Sequence, residues 1–163
     1  YICNNRLINS PVSINNQKLR RMKIQLSILF LLFSLIASAQ DNLKNGLAIQ
    51  GYDPVAYFSK SLAVKGSSSY KAKYNGATYY FSSSSNKAKF KANPSKYVPQ
   101  YGGWCAYAMG KDGSKVAINP KTFKVLNGKL YLFYNAWGTN TLKYWNADEK
   151  NLKKAADRNW SEN

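Results

Sequence analysis

The chain has 163 residues, the length of one domain or of one domain with a processing segment, and it carries 24 Lys+Arg against 7 Asp+Glu, a formal net charge of +17. Its apolar share of 45% supplies a core and exceeds what a disordered basic tail contains. There is no histidine, which excludes serine–histidine and cysteine–histidine triads and histidine-ligated zinc, and the charge points to anionic partners.

Residues 1–21 are Asn-rich, show neither helical nor strand period, and precede Met22, so they read as translated upstream sequence. Residues 22–39 combine a positive start (Met22-Lys23), a short apolar run and the ending Ala37-Ser38-Ala39. That is the pattern of a secretory signal peptide cleaved after Ala39. The alternative is a retained anchor, but the uncharged run 24–40 has 17 residues, short of the ~20 that a spanning helix needs. No cysteine follows the run for a lipid anchor. The expectation is an exported protein, periplasmic or secreted, with no transmembrane segment after cleavage. Cleavage removes five bases and no acid, leaving 124 residues with nineteen bases against seven acids, a net charge of +12. It also removes Cys3, so Cys105 stands alone and the core must hold without a disulfide.

Residues 40–50 read as a short polar leader to a domain spanning 51–160. Asp53-Pro54 marks a turn into the apolar stretch 55–58, and 59–69 is a loop. Asn75-Gly76 then joins two strands in a hairpin, because Asn-Gly accepts the positive φ of a type I′ turn. Pairing across it places Tyr70, Ala72, Tyr74, Ala77, Tyr79 and Phe81 on one face and Lys71, Lys73, Thr78 and Tyr80 on the other. Ser83 or Ser84 caps a helix that runs to Lys91 or Ala92 and stops at Asn93-Pro94. Residues 97–109 form an apolar, aromatic segment containing Gly102 and Gly103, and 110–115 is a turn. A second hairpin turns at Asn127-Gly128, with Val125 opposite Leu130 and Phe123 opposite Leu132 on one apolar face. Residues 146–160 form a helix opened by an Asn146/Glu149 capping box, with Leu152, Ala155, Ala156 and Trp160 in a stripe. The fold class is α+β: a small single domain of two Asn-Gly β-hairpins packed with short helices and a C-terminal helix.

Several segments appear in an order that carries a likeness: Gly51-Tyr52-Asp53-Pro54-Val55-Ala56-Tyr57-Phe58, then Tyr79-Tyr80-Phe81-Ser82-Ser83, then Phe90-Lys91-Ala92-Asn93-Pro94-Ser95-Lys96-Tyr97, then Tyr101-Gly102-Gly103-Trp104-Cys105-Ala106. The chain resembles the YHS-domain family, in particular its exported single-domain members. The likeness is centred on residues 52–97, with Tyr52, Asp53, Pro54, Gly102, Gly103 and Cys105 as family-motif positions. The resemblance implies a small treble-clef-like module with a metal-related role, copper included. In thiol-bearing members the ligands fall at positions matching Ala56, Ser82 and Asn86, where this chain has no thiolate, and neutral Ser and Asn oxygens suit a soft metal poorly. The inherited thiolate metal site is therefore degenerate.

Three groups remain as site candidates. Cys105, with Met109 at helical spacing, could supply a thiol and a thioether to copper, although a buried small hydrophobe is the commoner role of such a cysteine. Asp53 reads as an Asx-turn or helix cap before Pro54, with no second acid near it in sequence. Tyr80, Lys71 and Lys73 form an outward patch suited to a ligand or an anionic surface. The wider aromatic set, Tyr52, Tyr57, Tyr70, Tyr74, Tyr79, Tyr80, Tyr97, Tyr101, Trp104 and Tyr107, could stack nucleic-acid bases or sugars. Core packing accounts for most of it, and export argues against nucleic acid. The functional expectation is an exported non-enzymatic YHS-like domain binding a small ligand or metal-related partner. The alternative is a basic protein holding anionic lipid or polysaccharide of the envelope. An enzyme ranks third, since Cys105 has no histidine to activate it.

Overall fold

The computed structural model describes residues 41–162. The expected upstream extension, 1–21, and signal peptide, 22–39, lie outside the described residues, as does Cys3.

Turn chemistry sets the hairpins. Asn45-Gly46, Asn75-Gly76 and Asn127-Gly128 each hold two successive residues at positive φ, 54° and 75°, 47° and 81°, 50° and 72°. This is the twist of a type I′ turn. They join β1 (Leu43–Lys44) to β2 (Leu47–Ala48), β3 (Ser67–Tyr74) to β4 (Ala77–Phe81), and β5 (Asn119–Leu126) to β6 (Lys129–Phe133). A fourth turn, Trp137-Gly138 at 47° and 78°, joins β7 (Asn135–Ala136) to β8 (Thr139–Asn140). Two hairpins were expected and four are present among the described residues. The segment read as a leader is part of the sheet: Leu43 pairs with Ala48, Leu47 pairs in parallel with Thr78, and Ala48 and Ile49 are buried. Its Asn-Gly signal is the same as the other two, but strands of two residues are too short to show a period.

The β3–β4 register follows the expected pairing near its turn, with Tyr74 opposite Ala77, Ala72 opposite Tyr79 and Lys71 opposite Tyr80. Beyond Lys71 the register shifts, and Ser67 takes the place opposite Phe81. Tyr70, expected on the inner face, is therefore carried out to solvent. The strand order is β1-β2-β4-β3, so β3 stands at one edge of the sheet. The second hairpin also pairs as expected, Val125 with Leu130 and Phe123 with Leu132. Its apolar character is not confined to one face. Leu130 and Leu132 belong to one core cluster, with Tyr57, Tyr79, Phe81, Phe90 and Cys105, and Tyr131 and Phe133 to a second, with Tyr101, Met109, Trp145 and Ala156. Strand β6 is thus buried on both sides, whereas Val125 on its partner is exposed.

The helices are α1 (Ala56–Ser59), α2 (Ser84–Ala92), α3 (Pro94–Tyr97), α4 (Ala106–Asp112), α5 (Thr141–Ala147) and α6 (Glu149–Glu162). As expected, Ser83 caps α2 by accepting from Asn86 N at 3.1 Å. Two expectations at helix ends are corrected. Residues 110–112 continue α4, and the reversal falls at Gly113, whose φ of 78° provides the left-handed cap. At the C-terminus Asn146 lies inside α5, so it forms no capping box. The chain breaks at Asp148, whose carbonyl accepts from Leu152 N at 3.0 Å as α6 begins. Glu149 instead accepts from Trp145 Nε1 at 3.1 Å and pairs with Lys124.

Helix α4 crosses α6 at Gly110. A Cβ at Gly110 would stand 2.5 Å from the Leu152 carbonyl oxygen, so the crossing requires a residue without one. Gly110→Ala is expected to lower stability by about 1–3 kcal/mol, through forced separation of the helices and in spite of the gain in helix propensity. Urea unfolding checks this, and unchanged stability would show that the helices can part without cost.

Candidate functional site

Asp53 follows Tyr52, which bridges Lys65, and its own backbone N–H bonds Val64 O at 2.8 Å. Its side chain is fully buried. Oδ1 accepts from Val55 N at 2.9 Å, the Asx turn expected over Pro54, and so starts α1. Oδ2 accepts three further bonds, from Ser82 N at 2.8 Å, Ser82 Oγ at 2.6 Å and Asn86 Nδ2 at 2.7 Å. Asn86 sits in the first turn of α2, where the helix dipole favours a negative group. The Ala56 N–H also bonds the Asp53 carbonyl, at 3.2 Å. Ala56, Ser82 and Asn86, the three positions at which the resemblance puts metal ligands, thus converge on one residue. Here Ser82 and Asn86 supply hydrogen-bond donors to the carboxylate, and Ala56 bonds the backbone carbonyl of the same residue, where the resemblance puts thiolates to a metal. No group of three or more His, Cys, Asp or Glu side chains placed to hold a metal occurs among the described residues. The sequence reading of Asp53 as a local cap saw only Oδ1; the three long-range bonds to Oδ2 have no signal in local spacing.

Cys105 is also fully buried, where the chain enters α4. Its sulfur accepts from Tyr134 N at 3.3 Å and lies 3.4 Å from Thr141 Oγ1. The Thr141 hydroxyl has one proton and gives it to Tyr134 O, at 2.9 Å. The remaining assignment has the Cys105 thiol donating to Thr141, so thiol, hydroxyl and backbone form a closed set. Met109 is buried in the second cluster, while Cys105 belongs to the first. The two sulfur residues proposed as a copper pair are each absorbed by packing, on elements that meet at β6.

The outward patch is assembled as the register requires. Lys71 lies opposite Tyr80 and Lys73 opposite Thr78, with both lysines exposed and Tyr80 half-buried. They border an open depression of about 570 Å³, completed by Asn45 and Leu47. On the other side of β3 the same two lysines border a second depression of about 360 Å³ with Lys87, Lys91, Phe90 and Pro94. Four lysines from β3 and α2 therefore face solvent together. Lysines on an edge strand also keep other strands from pairing with it. Lys87 and Lys91 were missed as site residues, because their approach to β3 depends on how α2 packs. Their signal was nonetheless available: between Asp53 and Asp148 the sequence has fourteen lysines and a single acid, Asp112.

Removal of the Asp53 carboxylate leaves the Ser82 and Asn86 donors without an acceptor. Asp53→Ala is expected to cost about 3–5 kcal/mol, and Asp53→Asn less, because its one oxygen can keep part of the set. Chemical denaturation of both variants checks the order, and a neutral Asp53→Ala would mean that water replaces the carboxylate.

Residues 55–101 match the family model of the YHS domain. The match runs from α1 to the turn at Tyr101, so Tyr52, Asp53 and Pro54 precede it, and Gly102, Gly103 and Cys105 follow it. No curated protein and no solved structure matches the chain. The segment that holds β3, β4 and α2, with the Ser82 and Asn86 donors, is thus the segment that is similar to the YHS domain.

Proposed function

We propose that the protein is an exported, non-enzymatic binding domain in which the YHS fold, held by a carboxylate in place of a metal, presents a lysine face to phosphate- or carboxylate-rich polymers of the cell envelope. The observation that carries this reading is the joining of Lys71, Lys73, Lys87 and Lys91 across β3 and α2, on a stretch of chain almost empty of acids. Asp53, the one acid close to that region in sequence, spends its charge internally on four neutral donors. The cationic field above β3 is therefore left without an adjacent counter-charge from the same segment. Tyr80 beside Lys71 adds a ring against which a sugar or headgroup can lie.

A thiolate metal role has less support. Two of the positions at which the resemblance puts ligands carry donors committed to Asp53, and the Cys105 sulfur is engaged by Tyr134 and Thr141. A catalytic role lacks an activating base for Cys105, since the chain has no histidine.

Two measurements test the proposal. Replacement of Lys71, Lys73, Lys87 and Lys91 by alanine is expected to weaken retention on an anionic polysaccharide matrix by at least about tenfold at low salt. An equal-charge control that replaces Lys115, Lys129, Lys150 and Lys154 is expected to lose much less, and equal losses in the two variants would reduce the effect to net charge. Copper(I), copper(II) and zinc at micromolar concentration are expected to leave the protein metal-free in native mass spectrometry. A one-to-one complex lost in Cys105→Ala would replace this proposal with a metal site.

A further inference from the structure

Three of the four type I′ turns place Asn at the first positive-φ position, as that conformation favours, and the fourth places Trp137 there at φ 47°. A bulky residue at positive φ is disfavoured and is retained only where something outweighs the strain. Packing within the fold does not outweigh it, because Trp137 is 94% exposed. The hairpin beneath it is well held. Asn119 Nδ2 bonds Asn135 O at 3.2 Å, Asn135 Nδ2 bonds Thr122 Oγ1 at 3.0 Å, and Asn140 caps α5 through Leu142 N at 3.1 Å. A fixed base thus projects an indole of roughly 200 Å² into solvent. The charge around it in sequence has one sign: residues 113–147 contain five lysines and no acid. Lys121, on the strand against which β7 packs, and Lys143, in the helix that begins directly after β8, are both exposed.

We propose that the β7–β8 turn inserts Trp137 into the interface of an anionic lipid bilayer. Tryptophan partitions to the boundary between headgroups and acyl chains, with its ring in the apolar layer and its N–H toward water. Flanking lysines bind the anionic headgroups while their stems follow the apolar boundary. A sugar platform fits less well. It needs the ring laid flat in a cleft with polar groups around it for the hydroxyls, and an indole exposed on nearly all sides has no such surroundings. Insertion goes beyond the lysine-face reading and uses different residues, so that either can fail without the other.

The test compares the full chain with Trp137→Asn, which restores the residue found in the other three turns and is expected to keep or raise stability. Both are bound to phosphatidylglycerol–phosphatidylcholine vesicles with brominated acyl chains, and the difference between their tryptophan emissions isolates residue 137. The expected result is a blue shift and strong quenching of that difference signal, persisting at high salt in the bound protein. The same signal in the variant lacking Lys71, Lys73, Lys87 and Lys91 should be unchanged per bound molecule. An unshifted, unquenched signal on vesicles would overturn insertion. A shift on soluble anionic polysaccharide with none on vesicles would equally overturn it and assign Trp137 to sugar stacking.

Discussion

A single buried carboxylate organises the part of the fold that carries the family signature. Isolated ions are expensive to bury, and Asp53 is accommodated because four neutral donors point at its two oxygens. Those donors come from the start of α1, the end of β4 and the first turn of α2. The carboxylate therefore does what a small metal centre does elsewhere: it draws three chain segments to one point and sets their angles. Unlike a metal it belongs to the chain, so these segments are joined through the protein's own side chain. The same arrangement decides the surface above it, because an acid that is consumed internally cannot neutralise the lysines of β3 and α2.

The second constraint is the position of β6. With Leu130 and Leu132 on one side and Tyr131 and Phe133 on the other, this five-residue strand divides the interior into two clusters. Cys105 and Met109 fall on opposite sides of that division although they are one helical turn apart. The first is held by polar contacts to Tyr134 and Thr141, the second by aromatic packing with Tyr131, Phe133 and Trp145. Helix α6 closes the second cluster through Ala156 and passes α4 at Gly110, so the crossing depends on a position with no side chain.

The proposed function rests on the surface more than on the interior. The buried polar groups among the described residues are engaged by their neighbours: Asp53 by donors, Cys105 by Thr141 and Tyr134, and Tyr57 by the Pro120 carbonyl at 2.8 Å. Burial pushes the Tyr57, Tyr79 and Tyr101 phenols far above their ordinary range, so they remain neutral hydrogen-bonding groups at any physiological pH. The two proposals therefore use exposed groups, the lysine face on β3 and α2 and the indole at the β7–β8 turn. Charge gives long-range attraction that salt weakens, and an inserted ring gives short-range hold that salt leaves intact.

The sequence alone determined the α+β class, the turns at Asn75-Gly76 and Asn127-Gly128, the capped helix after Ser83, the pairing of Val125 with Leu130 and the YHS-domain likeness of the central segment. Each of these rests on local chemistry: positive φ at Asn-Gly, a side-chain oxygen over an N-terminal N–H, or side chains alternating along a strand. Only the tertiary structure decided the rest. The bulge that turned Tyr70 outward, the burial of β6 on both faces and the role of Gly110 as a crossing point all depend on distant segments. So do the three bonds to Asp53 Oδ2, whose partners lie 29 and 33 residues away. The opening charge of +17 was legible at once as a sum, and its meaning was not. Folding spends one acid inside the molecule and gathers lysines from two elements onto one face, because packing, and not spacing along the chain, determines which charges meet.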